Sequence, residues 1–451
     1  MRNTSLYKAL REYCNSALAL LNSRISRPED VPTTIKEKVE VAESGELSFS
    51  QVPEVLWHIL VIRNERDLTQ TDVYQAAVQA LQADPRVAKH LNTLVGTSEV
   101  RTRVDTDSCL RAFLARLLQE QQDLSLQEVV FGRLYNEFED YFYRDAVGYR
   151  FLSPLNNFRV ETEKVELNPN FSIIKIPREE REQMLSRSRE FDLFTQHHMM
   201  PWNEYALELF LEAPKVFGEG PAVPDVENMP SQIARRQFDE ACSALRLYKS
   251  GAVSHDYIRI GSTSWELHGR TYTVSSIGMR PAIGSQHSLL EEEVAEFLKF
   301  WGFFQRVRKK KLKRTDIALR RFNFAYERVR PEDKLIDYLI GFEALLLKGD
   351  EHQELEYRLA LRGSVLLSKT PEERQTVFKE LKTAYRERSN IVHRGTVKEA
   401  IKIGDEKIKF NEFVEKVEQR LRSAIKEFLG RLETQSESEV IKDLDKKIIS
   451  G

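Results

Sequence analysis

Cysteine is scarce. The chain has three, Cys14, Cys109 and Cys242, far apart and without the paired spacing of a zinc site or a disulfide framework. A small disulfide-stapled secreted fold is thereby excluded, and a reducing cytoplasm is the expected location. Net charge is scarce too: 68 basic against 70 acidic residues leave a formal −2. That excludes a nucleic-acid binder working by bulk charge, so any RNA contact has to come from a local patch. No run of about 18 apolar residues occurs, and the opening segment carries Lys8, Arg11 and Glu12 where an export signal would be apolar. No membrane span or membrane partner is expected. The patterns G-x-x-x-x-G-K-S/T, G-x-S-x-G, H-E-x-x-H and the EF-hand loop are absent, which leaves P-loop hydrolysis, elbow-type serine hydrolysis and zincin chemistry without sequence support. Of the nine histidines, His58 and His90 stand alone. The adjacent His197 and His198 point in different directions on either a helix or a strand, so no metal site and no cofactor are expected.

What is present is a long chain of ordinary globular composition. Its 451 residues, 41% apolar and 31% charged, exceed what one core usually supports. The expected fold class is multidomain and mainly α: an N-terminal helical region (1–143), a central α+β module (144–286), a C-terminal helical bundle (287–435) and a mobile or partner-docking tail (436–451). In the first region helical spacing recurs at Leu6, Leu10, Tyr13, Leu18 and Leu21, and at Val73, Ala77 and Leu81 with Asp72 as the expected cap. It recurs again at Cys109, Leu110, Phe113, Leu114 and Leu117, and at Val129, Val130, Leu134, Phe138 and Phe142. From about Asp145 the period becomes alternating: Phe158 and Val160, Val165 and Leu167, Phe171 and Ile173, and Tyr205, Leu207, Leu209 and Leu211 predict strands. A further hairpin is expected over Trp265 to Val274, turning at His268-Gly269-Arg270. Between the strands Ile233, Phe238, Cys242 and Leu245 mark a helix. The tail is rich in Ser, Glu and Lys and weakly apolar.

One stretch concentrates chemistry: Tyr385-Arg386-Glu387-Arg388-Ser389-Asn390-Ile391-Val392-His393-Arg394-Gly395. Val377, Phe378, Leu381 and Tyr385 keep helical spacing after Pro371, which suits a first turn, and Gly395 is the expected stop. His393 then lies in the last turn, where the carbonyl end of the helix dipole favours imidazolium and suits acid/base work. Arg388 supplies a planar charged fork of the kind that holds a phosphate and stabilises a phosphorane. The two are sufficient for metal-free RNA cleavage with the ribose 2′-hydroxyl as nucleophile. Residues five apart on a helix diverge by roughly 140°, however, whereas Arg386, Asn390 and His393 share a face. A site completed by a second copy of the chain relieves that mismatch.

The R-S-x-x-x-H pattern at Arg388–His393 resembles the R-x4-6-H signature of HEPN domains, in particular the Apea-like branch. Asp333-Lys334-Leu335-Ile336-Asp337 through Glu343-Ala344-Leu345-Leu346 is similar to that branch's D-x-L-I-D-x-x-I-x-x-E-A-L-L helix, and Leu355 to Arg362 to its arginine-bearing helix. The resemblance spans roughly residues 288 to 435. It implies a four- or five-helix bundle, usually dimeric, often a metal-independent endoribonuclease of anti-phage defence, abortive infection or a toxin system. It therefore also implies RNA as substrate, a homodimer through the C-terminal bundle, and a phage-derived or antitoxin protein as a partner. Ser389 departs from the pattern, since many active members carry Asn, Asp or His directly after the Arg, and Asn390 comes one place later. Catalysis is expected of Arg388 and His393, with Asn390, Ser389, Tyr385, Glu343 and Arg362 in support. Glu343 sits on an apolar helix face and needs a partner, which Arg358, Arg362 or Arg388 can supply.

The densest cationic run, Arg306, Arg308, Lys309, Lys310, Lys311, Lys313 and Arg314, is read either as an RNA contact or as a solvated joint between two helices. The aromatics before it, Phe297, Trp301 and Phe304, keep helical period and belong to a core. Two functions survive: a metal-independent endoribonuclease, and an inactive dimerisation and RNA- or protein-binding module.

Overall fold

The computed structural model describes residues 1–42, 46–97, 101–190, 203–218, 226–255, 257–265, 273–276, 282–404 and 406–450. They are mainly helical with several small sheets, and the chain divides into two compact units. Residues 1–154, 168–236 and 257–277 make the first; residues 155–167, 237–256 and 278–451 make the second. The expected module 144–286 is thus shared between both, and the expected boundaries are not those of the units. Alternation predicts a strand, but the core that strand joins depends on pairing partners far along the chain.

In the first unit the apolar stripes become the helices Thr4–Arg24, Asp72–Ala83, Thr106–Gln121 and Glu128–Tyr143. Leu10, Phe113, Phe131 and Phe138 are buried in one cluster. Trp265 joins them, stacked on Phe113 at 5.4 Å and edge-on to Phe138 at 5.3 Å. Two local readings are corrected. Thr71 rather than Asp72 caps its helix, its hydroxyl accepting from the Tyr74 N–H at 3.2 Å, and Val129 is 87% exposed because the buried face of its helix begins at Phe131. The region also contains an unexpected hairpin, Thr33–Val41 paired antiparallel with Leu47–Val55. Further on, the alternating segments do form strands. Ala146–Asn156 runs antiparallel to both Tyr205–Pro214 and Tyr257–Ser262, with Phe171–Lys175 and Thr273–Ser276 outside them. His268-Gly269-Arg270 and His197-His198 lie outside the described residues.

The second unit carries the helices Glu291–Arg308, Lys313–Ala325, Pro331–Leu346, Leu355–Leu367, Pro371–Arg394 and Phe410–Arg431. Trp301, Phe322, Tyr338, Leu381, Leu421 and Phe428 on their apolar faces are all buried. Gly363 sets how closely Pro371–Arg394 approaches Leu355–Leu367: a Cβ there would lie 2.4 Å from Leu381 Cδ1. A larger residue would force the pair apart at about 1–3 kcal/mol.

The tail is not mobile chain but a helix, Glu437–Ser450, with Val440, Ile441 and Leu444 buried. Weak apolarity hid it, because only three apolar contacts are needed when charged ones fix the rest. The Glu437 carboxylate accepts the backbone N–H groups of Lys313, Arg314 and Thr315 at 2.8–3.2 Å, capping a helix whose own N-cap residue, Leu312, offers no side-chain bond. Asp445 meets Arg362, which is almost fully buried. That guanidinium donates to Glu351 at 2.7 and 2.6 Å, to Asp445 at 2.6 and 3.1 Å and to the Leu346 carbonyl at 2.9 Å, so all five of its N–H groups are satisfied.

This fork holds the Glu351 carboxyl down at about 2, with the Arg362 bonds the largest cause. A carboxylate depressed in the folded state adds stability that is full above its unfolded value and lost as pH falls through its folded value. Calorimetric melting of the second unit should therefore weaken between about pH 4.5 and pH 2. Glu351→Gln should flatten that limb while lowering stability at neutral pH. An unchanged acid limb in the variant would show that the fork does not couple Glu351 to folding.

Candidate active site at the end of the Pro371–Arg394 helix

The helix carrying the candidate site is punctuated as its sequence suggests. Thr370 caps it in a capping box with Glu373, Pro371 takes the first position, and Gly395 ends it at φ 62° with its N–H donating to the Ile391 carbonyl at 3.0 Å. Val377, Leu381 and Ala384 are buried, which fixes the rotation of the helix and hence where every polar side chain points.

Arg388, Tyr385 and Glu343 meet. Arg388 Nη2 lies 3.7 Å from Glu343 Oε2, both side chains about one quarter exposed (22% and 24%). The guanidinium carbon lies 6.0 Å from the Tyr385 ring centroid. The Tyr385 phenol is pushed up, first by burial and then by the charge of the Glu343 carboxylate, while the Arg388 charge pulls the other way. Glu343 thus finds its partner in Arg388. Arg388 Nε is buried and makes no hydrogen bond to any described residue.

The other predicted residues lie elsewhere. His393 is exposed in the last turn beside Arg394, and among the described residues no hydrogen bond or ion pair joins it to Arg388. Ser389 and Asn390 are partly exposed, with side chains that hydrogen-bond no other described residue. Arg386 pairs with Glu356 at 3.3 Å, and buried Glu387 with Lys398. Arg362 does not reach Glu343: its donors are committed to Glu351 and Asp445, and Arg358 also turns to Glu351, at 3.2 Å. These acidic partners were missed because nothing in linear spacing ties position 362 to 351 and 445.

The basic run divides. Arg308 pairs with Asp316 and, at 3.6 Å, with Glu240. Lys310 donates to the carbonyls of Leu432 and Glu433, closing the end of Phe410–Arg431. Arg306 pairs with Glu433 at 3.3 Å and Arg314 donates to the Leu347 carbonyl. These four brace helix ends. Lys309, Lys311 and Lys313 are exposed.

Elsewhere, His90 is a buried neutral ring. Its Nδ1 lies 2.7 Å from the Arg86 carbonyl, and burial chiefly lowers its pKa to about 4. Among the described residues no group of three or more His, Cys, Asp or Glu is arranged to hold a metal ion. No family model, no curated protein and no solved structure matches this chain.

The Tyr385 cluster predicts opposite shifts from its two charges. Glu343→Gln should lower the Tyr385 pKa while burial keeps it above that of an ordinary phenol, and Arg388→Met should raise it. Spectrophotometric titration against a Tyr385→Phe reference reads both, and identical titrations in all three proteins would show that the cluster is not electrostatically coupled.

Proposed function

We propose that the second unit is a metal-independent endoribonuclease acting through Arg388 and His393. One observation supports this above the others: an exposed imidazole ends the helix, about one and a half turns beyond a partly exposed guanidinium whose ion pair to Glu343 spans 3.7 Å. RNA would bind with the scissile phosphate on Arg388. The ribose 2′-hydroxyl attacks phosphorus, the 5′-oxygen leaves, and His393 transfers the proton between them, leaving a 2′,3′-cyclic phosphate and a 5′-hydroxyl. Arg388 bonds the phosphate oxygens more strongly as charge develops. Because Arg388 turns toward Glu343 while His393 faces solvent, the working site joins Arg388 of one chain to His393 of a second in a two-fold homodimer. Ser389 and Asn390 would bond substrate, and the resemblance to HEPN domains suggests a role in defence or as a toxin. The second reading, a binding module without catalysis, is favoured by the Glu343 carboxylate, which already balances Arg388.

RNA incubated with the protein and a chelator should yield 2′,3′-cyclic ends. His393→Ala should preserve RNA affinity and slow turnover by roughly 10²–10⁴-fold, the usual contribution of a positioned acid/base. Arg388→Ala should damage both binding and turnover, and Arg388→Lys should restore only part because an ammonium lacks the fork. Mixing the His393→Ala and Arg388→Ala proteins should recover activity, since a mixed dimer contains one intact site. A folded, dimeric His393→Ala protein cutting at the wild-type rate overturns the assignment in favour of the binding module.

The exposed lysines give a separate test. Neutralising Lys309, Lys311 and Lys313 to Gln should weaken RNA binding for all sequences alike and reduce the salt slope by about 0.7 per lost phosphate contact. An unchanged slope would make them part of the helix joint.

A further inference from the structure

A cavity of about 450 Å³ opens in the second unit and shares no residue with the candidate active site. Its volume lies within the range of about 300–1,000 Å³ typical of sites for small organic ligands. Lys334, which lines it, is nine residues before Glu343 on the same helix, or about 13 Å along the axis.

The charges of the cavity are unusually arranged. Glu418, on Phe410–Arg431, is fully engaged: its Oε1 accepts from the Tyr326 hydroxyl at 2.7 Å and from Arg422, and its Oε2 from the Tyr338 hydroxyl at 3.2 Å. Arg422 in turn donates to the Arg246 carbonyl at 2.9 Å. This network neutralises the inner carboxylate and stiffens the wall. Two opposite charges remain. Glu415, one turn before Glu418, lines the cavity and forms no ion pair among the described residues. Lys334, from a different helix, lines it too, and among the described residues its ammonium forms no ion pair and donates to the Ile283 carbonyl at 3.3 Å. The two form no salt bridge with each other although they face one space. Ile283, Val329 and Val414 supply apolar surface, while Asn411, Gln419 and Ser285 supply amide and hydroxyl groups that match a peptide bond.

We propose that this cavity binds a short zwitterionic peptide of dipeptide size, its ammonium on Glu415 and its carboxylate on Lys334. One free positive and one free negative charge on separate elements call for a ligand carrying both. The volume is larger than a single amino acid needs, and the apolar lining selects aliphatic side chains. Gly251 and Gly284, both lining the cavity at large positive φ, leave no room for a side chain: a Cβ at Gly251 would meet His287 at 2.5 Å and one at Gly284 would meet Ala252 at 3.0 Å.

The test is calorimetric titration of the full chain with L-leucyl-L-leucine, its N-acetyl and C-amide forms, and free L-leucine. The dipeptide should bind saturably with a Kd of roughly micromolar to millimolar order. Blocking either terminus should weaken it by about ten- to a hundredfold, the value of a hydrogen bond to a charged group, and leucine should bind less tightly than the dipeptide. In Glu415→Gln the penalty for N-acetylation should vanish while that for amidation persists; Lys334→Gln should show the reverse. Both positions lie on the cavity rim and are not core residues, and circular dichroism checks the fold. Absence of saturable binding up to about 10 mM, equal affinity for blocked and free dipeptides, or penalties unaffected by the two substitutions would each overturn the proposal. None of these outcomes depends on RNA cleavage.

Discussion

The buried Arg362 fork is the interaction on which the second unit depends. A guanidinium taken out of water is tolerated only if its charge and all its donors are met, and here two carboxylates and one carbonyl meet all five N–H groups. Each partner belongs to a different part of the chain: Leu346 ends one helix, Glu351 lies in the following loop, and Asp445 sits on the last helix. One side chain therefore fixes the end of Pro331–Leu346, and with it Glu343, a single turn earlier. It also anchors the last helix, whose Glu437 caps Lys313–Ala325.

That arrangement leaves Glu343 to Arg388. With Arg362 satisfied elsewhere, Glu343 pairs with Arg388 and Tyr385 instead, giving a small polar cluster on one side of Pro371–Arg394. The cluster is less enclosed and less saturated than the Arg362 fork: its ion pair spans 3.7 Å and, among the described residues, Arg388 Nε has no hydrogen bond. A saturated guanidinium is architecture, whereas a loosely paired one next to solvent can exchange its carboxylate for a phosphate. The same contrast separates Lys310, held by two carbonyls, from Lys309 and Lys311, which remain exposed. It also separates Glu418, saturated by two tyrosines and an arginine, from Glu415.

Sequence by itself determined the helix Pro371–Arg394 and where it ends. Pro371, Thr370 and Gly395 act through local backbone geometry, and the apolar period sets which face is buried, so the helix and the rotation of Arg388 away from His393 were legible at 3.6 residues per turn. The strands Phe158–Val160, Lys164–Asn168, Phe171–Lys175 and Tyr205–Pro214 were legible for the same reason at period two, whereas the central strand Ala146–Asn156, buried on both faces along its second half, was not. Tertiary structure alone decided the rest. The two units each draw on three separated stretches of chain, and Arg362 selects Glu351 and Asp445 across 11 and 83 residues. The tail becomes a helix because distant charges hold it. Local propensity is written in neighbouring residues, but the choice among many carboxylates for one buried guanidinium is made by which of them the packed helices bring within hydrogen-bonding distance.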